Sequence, residues 1–295
     1  MIYRILYNPT AGNGTGEAQT NKLNSILQGD HLFFYNVLNI QDYPALFSGF
    51  GKDDRILVSG GDGTLNHFVN DTINMDIQQE VYFFPCGSGN DFVRDLDLLD
   101  ANEPILVTPY LKNLPEVTAG GKKKRFINGI GYGLDGYTCE MIDKKRETSK
   151  HLNYKLIALK GLLWAFKPKR ATIIVDGKKF TYEKTWLVPT MQGRYFGGGV
   201  MPTPDQNRQN EEHTVSVAIM EGVSPIKAVT IFPSMSKGTH VKHTECIHIF
   251  KGHEVEVVFD EPCAMQIDGE VVLGVNGYTV RSAAALAKRE KESVR

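Results

Sequence analysis

The chain has 295 residues, 41% hydrophobic and 23% charged, with a net charge of −1. This is the profile of a globular protein large enough for two domains; it excludes a low-complexity chain, and the near-neutral balance gives no basic field to attract nucleic acid. Four cysteines, Cys86, Cys139, Cys246 and Cys263, stand far apart with no CxxC pair. Met1 leads straight into an apolar-patterned strand rather than a signal-like segment, and no charge-free apolar run approaches the roughly 18 residues that span a bilayer. The expectation is a cytoplasmic protein with free thiols, in at most peripheral contact with a membrane.

From the N-terminus, Ile2-Tyr3-Arg4-Ile5-Leu6-Tyr7 reads as a strand. Asn8-Pro9-Thr10-Ala11-Gly12-Asn13-Gly14-Thr15-Gly16 is a loop, followed by a helix with Leu23, Ile26 and Leu27 as its apolar stripe. Residues 31–38 read as a second strand and 44–50 as a short helix. Ile56-Leu57-Val58 is a buried strand that runs into Ser59-Gly60-Gly61-Asp62-Gly63, with Thr64 expected to cap a helix through Leu65, Phe68, Val69 and Ile73. Val81-Tyr82-Phe83-Phe84-Pro85 repeats the pattern, with Cys86-Gly87-Ser88-Gly89-Asn90-Asp91 as its loop. Strand, glycine turn and helix is how a chain offers backbone N–H groups and a helix N-terminus to a phosphate. One such loop could be only a tight turn. Three, all at the carboxyl edge of a parallel sheet, point to a nucleotide site. There is no Walker A pattern, no Rossmann GxGxxG spacing and no protein-kinase signature.

These motifs, Asn8-Pro9 with Gly12 and Gly16, Gly60-Gly61-Asp62-Gly63-Thr64 and Gly87-Ser88-Gly89-Asn90-Asp91-Phe92, resemble the diacylglycerol kinase catalytic-domain family. That family includes bacterial soluble lipid kinases and sphingosine kinases, with NAD kinases as distant relatives. The resemblance extends to Gln266-Ile267-Asp268-Gly269-Glu270. It implies that Asn8, Pro9, Gly12, Gly60, Gly61, Asp62, Gly63, Thr64, Asn66, Gly87, Ser88, Gly89 and Asn90 contact ATP, with Asp62 acting through the nucleotide's Mg²⁺. Ser88 replaces a more usual threonine and keeps the hydroxyl.

From about residue 122 the pattern changes to short β-type runs separated by turn signals such as Asp176-Gly177 and Asp268-Gly269, interrupted by one helix over 153–166. The fold expected is a doubly wound parallel α/β domain, residues 1–121, followed by an antiparallel β-sandwich, residues 122–280, with residues 281–295 as a helix returning to the first domain. The resemblance implies the same layout, with an apolar cleft between domains that receives acyl chains.

Asp268 and Glu270 have two readings. The Asp-Gly pair between apolar runs is a strong hairpin signal, and spacing alone favours only that. By resemblance, the same loop supplies the catalytic carboxylates, Asp268 orienting the acceptor hydroxyl and Glu270 beside it, or the reverse. Asp135, in a second glycine-rich run, is implied to face the acceptor's polar head, although a bulged strand also needs such glycines. Asp205 is a candidate ligand of a structural Mg²⁺ with Glu211 or Glu212, but the following segment, Asn207-Arg208-Gln209-Asn210-Glu211-Glu212, departs from the family's acid spacing. His240, His243, His248 and His253 match no zinc spacing and read as exposed strand histidines. The basic run Lys122-Lys123-Lys124-Arg125 and a basic helix near Leu162, Trp164 and Phe166 suit either a solvated surface or an anionic lipid face.

The function expected is an ATP- and Mg²⁺-dependent lipid kinase with diacylglycerol as the leading acceptor and no nucleic-acid partner; an exposed sandwich edge could support a homodimer. The alternatives are an NAD kinase-like enzyme acting on a soluble dinucleotide and a non-catalytic nucleotide-binding regulator.

Overall fold

A computed structural model of the chain describes residues 1–146, 154–161, 163 and 166–293. The contacts divide it into two compact units, Met1–Lys112 and Asn113–Arg295.

The first unit carries a five-stranded sheet built from β1 (Ile2–Tyr7), β2 (His31–Asn36), β3 (Arg55–Gly60), β4 (Val81–Pro85) and β5 (Ile105–Leu106), in the order β2-β1-β3-β4-β5. The pairings β1–β2, β1–β3 and β3–β4 are parallel. Ile56, Leu57 and Val58 of β3 have no solvent exposure. A central parallel strand is covered on both faces, so it reads as an unbroken apolar run rather than an alternating one. β5 pairs antiparallel with β4.

The helix after β3 spans Asp62–Asp71 and starts three residues earlier than a Thr64 cap requires. Gly61 is its N-cap, and no side chain caps it. Thr64 lies inside the first turn, buried, where its hydroxyl accepts a hydrogen bond from Asn8. The expected cap is thereby corrected: the threonine ties two loops together instead.

The second unit is antiparallel. Its strands are β6 (Glu116–Ala119), β7 (Lys122–Arg125), β8 (Gly129–Tyr132), β9 (Lys169–Val175), β10 (Lys178–Leu187), β11 (Thr190–Met191), β12 (Val215–Glu221), β13 (Ile247–Gly252), β14 (Glu254–Ile267) and β15 (Glu270–Arg281). They run in the order β7-β6-β15-β14-β8-β11-β12-β10-β9, with β13 on β12. β14 is long enough to serve two neighbours. Its first half pairs with β9 through Val255–Val175 and Val257–Ile173, and its end pairs with β8 through Gln266–Gly131 and Ile267–Ile130. The register shift between Val258 and Cys263 bends it from one to the other, so the strand path closes on itself. The closed sheet surrounds a core in which Tyr132 and Phe259 stack at 4.3 Å.

Helices depart from the expectation here. Leu134–Arg146 is a helix directly after β8, where only a glycine-rich strand was legible. Further along, Tyr154–Lys160 is helical, and Leu162 and Trp164 lie outside the described residues. The basic run Lys122–Arg125 is the strand β7 at one edge of the sheet. Lysines on an edge strand discourage pairing with another chain. The terminal helix, Ala283–Ser293, follows β15, and its Arg289 pairs with Glu254. Among the described residues, no helix is long and apolar enough to cross a membrane.

Candidate functional site

In the first unit the three glycine loops are pinned to one another where β1, β3 and β4 end. The Asn8 N–H donates to Ser59 O at 2.9 Å, and the Cys86 N–H to Gly60 O at 2.7 Å, so the parallel ladder continues into the loops. The Asn8 side chain is fully oriented. Its amide nitrogen donates to Thr64 Oγ1 at 3.0 Å, and its oxygen accepts from the Thr10 N–H at 3.0 Å and the Thr10 hydroxyl at 2.8 Å. Gly61 and Gly87 meet backbone to backbone: a Cβ on Gly87 would lie 2.6 Å from the Gly61 Cα. A Cβ on Gly12 would lie 2.4 Å from the Cys86 carbonyl oxygen. These glycines are required by close approach of one loop to the next.

Asp62 ties the second loop to the third. Its two carboxylate oxygens accept the N–H groups of Asp91 and Phe92, each at 2.9 Å. Those groups open the helix Asp91–Asp95, where a carboxylate satisfies donors that have no partner within the helix. Asn90 enters that helix with a left-handed backbone, φ +49°, and its side-chain oxygen accepts the Gly87 N–H at 3.1 Å. Beneath the loops, Thr20, Ser59 and Cys86 form a buried polar contact, with hydroxyls 2.6 Å apart and the thiol 3.3 Å from Ser59. Burial pushes the Cys86 thiol's pKa up, against smaller opposing effects of Ser59 and Thr20. The thiol therefore stays neutral under the loops.

The remaining expected nucleotide contacts differ in exposure. Ser88 is exposed, while Pro9, Gly63 and Gly89 are half-buried. Asn66 is buried at 2% exposure, and Asn70 donates to both its carbonyl and its side-chain oxygen, so it is held along its own helix.

In the second unit, Asp268 and Gly269 form the turn between β14 and β15. Both have positive φ, +46° and +93°, the backbone of a two-residue hairpin turn that Asp-Gly favours. The hairpin reading is therefore correct, and the turn does more than reverse the chain. The Asp268 carboxylate accepts three consecutive backbone N–H groups: Ile127 at 2.6 Å on one oxygen, Asn128 and Gly129 at 2.9 Å each on the other. Its own N–H donates to Gly129 O at 3.0 Å. Glu270 pairs with Lys124 of β7. The two carboxylates are thus oriented by different partners, one by a strip of peptide dipoles and the other by an ammonium.

Asp135 sits in the first turn of the helix Leu134–Arg146 and is 1% exposed. Burial raises the Tyr278 phenol's pKa, a hydrogen bond with Thr190 opposes this, and the Asp135 charge adds to it. The segment after Asp205 is a polar network. Gln206 donates to Gln192 O and Thr214 O and accepts from the Ser216 hydroxyl. Arg208 is 8% exposed, and its guanidinium donates to Ile127 O at 3.2 Å and Asn128 Oδ1 at 3.1 Å. Among the described residues, no three His, Cys, Asp or Glu side chains converge as a metal-binding group. Asp205, Glu211 and Glu212 form no such group.

Comparison with known proteins agrees with both halves. Residues 3–113 match the model of the diacylglycerol kinase catalytic domain, and residues 128–285 that of the YegS C-terminal NAD kinase beta sandwich-like domain. The chain belongs to the family of the YegS C-terminal NAD kinase beta sandwich-like domain, and its N-terminal part carries a diacylglycerol kinase catalytic domain. It is 25% identical over 280 residues to the "Diacylglycerol kinase" of Bacillus subtilis strain 168, covering 90% of this chain and 89% of that protein. It is 24% identical over 250 residues to the "Putative lipid kinase YtlR" of the same organism, covering 79% and 78%. A Bacillus anthracis crystal structure titled as a "putative diacylglycerol kinase" superposes with a TM-score of 0.65 at 20% identity, over 96% of this chain and 95% of that one. That likeness establishes the fold. Within this family framework, Arg208 and Lys124 are the residues that the sequence did not single out. Lys124 is one of four consecutive basic residues and Arg208 a lone cation in a polar segment, and only the folded chain shows that they reach Glu270 and residues 127–128.

Proposed function

We propose that the chain is an ATP-dependent lipid kinase that transfers the γ-phosphoryl group of ATP to the hydroxyl of a lipid alcohol. The observation that carries this reading is the mutual pinning of three glycine loops by Asn8, Asp62 and the Gly61–Gly87 approach, in a chain of this family. Loops without Cβ atoms beside the N-terminus of the helix Asp62–Asp71 can bring peptide N–H groups against phosphate oxygens. Asn8, Gly12, residues 60–64 and residues 87–90 are assigned to the nucleotide. Bound Mg²⁺ would neutralise charge on the transferring phosphoryl group. Each Asp62 oxygen accepts one N–H and keeps a lone pair, so its donor chemistry suits a hard cation.

The acceptor is assigned to the Asp268 hairpin of the second unit. There a carboxylate held in one orientation would align the acceptor hydroxyl and take its proton. The hydroxyl oxygen bonds to the γ-phosphorus as the phosphorus–oxygen bond to ADP breaks. Glu270 is the second carboxylate of that turn. The relative named diacylglycerol kinase makes diacylglycerol the first acceptor to test, with phosphatidic acid as product. A lipid acceptor entails at least transient contact with a membrane surface.

The test is transfer of radiolabel from γ-labelled ATP with Mg²⁺ to a panel of lipid alcohols in mixed micelles, with NAD included. Labelled phosphatidic acid is the expected product. Label on NAD alone, or on nothing while ATP binds, would overturn the reading.

A further inference from the structure

The Asp268 carboxylate does not hold itself. It rests on the N–H groups of residues 127–129, and that strip is gripped from its other side by Arg208. At Ile127 the two faces belong to one residue: its N–H donates to Asp268, and its carbonyl accepts from the Arg208 guanidinium. At Asn128 the N–H donates to Asp268, and the side-chain oxygen accepts from the same guanidinium. Ile127 and Asn128 are buried at 0% and 3% exposure, so water cannot replace a lost donor without the segment opening. The strip is further tied by Gln192, whose N–H donates to Asn128 O at 2.9 Å while its side chain donates to Arg208 O at 3.1 Å.

We propose that Arg208 is a positioning residue for Asp268, a buried cation that fixes residues 127–129 so that their three N–H groups converge on one carboxylate. The inference rests on the reading of Asp268 given above. It gives the 206–214 segment a role that needs no metal ion: a guanidinium with several donors in a fixed plane can bridge a carbonyl and an amide oxygen at once. Lysine offers the same charge without that fork. Successive peptide N–H groups facing one anion form a concave site whose geometry depends on the backbone angles of the strip, so a donor behind the strip controls the carboxylate in front of it.

The experiment compares the full-length chain with Arg208→Met and Arg208→Lys, measuring kcat, the KM for ATP and the pH dependence of kcat on the acceptor that the wild type uses. In Arg208→Met, kcat is expected to fall about 100-fold, the size of effect that misplacing a reacting group by an ångström can have. The KM for ATP should stay within twofold, and Arg208→Lys should recover part of the loss. The acid limb of kcat should move to higher pH, because weaker N–H donation favours the protonated carboxyl. A fraction of misfolded enzyme lowers kcat but leaves the shape of the pH profile unmoved. A pH profile unchanged in both variants, or a kcat unchanged, would overturn the proposal. If Arg208→Met does not fold, Arg208→Lys alone decides on the same criteria. If the wild type phosphorylates no acceptor, the functional reading has failed, and amide hydrogen exchange at residues 127–129 decides the positioning role. Faster exchange in the variants, each compared at the same interval below its melting temperature, supports it; unchanged exchange overturns it.

Discussion

The Asp62 carboxylate accepts the Phe92 N–H at 2.9 Å across thirty residues of chain, from the loop after one strand to the helix after the next. With the matching bond from the Asp91 N–H, it converts two separate glycine turns into one rigid edge. Removing it as Asp62→Ala leaves two helix N-terminal donors without their acceptor. A charge-assisted pair of this kind should cost about 2–4 kcal/mol of stability in denaturant unfolding, since each such bond contributes about 1.5–3 kcal/mol and water at the loop recovers part. Asp62→Asn keeps one acceptor oxygen and should lose roughly half as much. Unfolding midpoints equal to wild type in both variants would show that the carboxylate does not brace the loops.

Gly63 and Gly87 separate two reasons for a glycine. At Gly87 a Cβ would strike the Gly61 backbone at 2.6 Å, whereas at Gly63 it meets nothing within 4 Å. Gly87→Ala should therefore destabilise the chain by about 1–3 kcal/mol, the usual cost of overpacking. Gly63→Ala lies in the first turn of a helix and should be neutral or stabilising by up to about 1 kcal/mol. If the 60–64 loop approaches the nucleotide, Gly63→Ala should nevertheless weaken ATP binding, read by isothermal titration. Retained stability together with unchanged affinity would remove this loop from the nucleotide site.

His240 predicts an acid limit. It has no solvent exposure, its Nε2 lies 2.9 Å from Pro202 O, and burial lowers its pKa, with neighbouring His243 adding to the effect against the opposing Pro202 contact. A group depressed on folding binds protons more readily in the unfolded chain. Its contribution is therefore fully present above the ordinary imidazole value of 6.5 and is lost as pH falls through the lower folded value. Stability should decline below about pH 6.5, and His240→Gln should flatten that part of the profile. A wild-type curve flat from pH 7 to 5 would contradict this.

The three strand–loop–helix repeats were legible because the signals are local: apolar runs of strand length followed by glycines. What the loops do to one another was not, since the Asp62–Phe92 bond depends on which strands are neighbours. Thr64 illustrates the difference, a good N-cap residue diverted to Asn8 by an adjacent strand. The helix Leu134–Arg146 was hidden by the glycines before it and by its polar composition. His240 reads as an exposed strand histidine, but it lies in a short helical turn, Thr239–Lys242, that packs it inward. In the Asp268 turn the hairpin was readable from Asp-Gly, but the three N–H donors come from residues about 140 positions away. Arg208 could not be recognised at all, because its segment has the composition of a surface loop and only its burial distinguishes it.

The division of labour between the two units is the central claim, and Asp268→Asn tests it most directly. The substitution turns one acceptor oxygen into an N–H₂ group facing backbone donors, so the hairpin loses at least one of its three bonds. The measurement is kcat for lipid phosphorylation alongside the dissociation constant for ATP on the same preparation. The account predicts a kcat lower by about 100-fold or more, the scale of lost general-base assistance, with ATP affinity within twofold of wild type. Loss of both together, or retention of both, would contradict it.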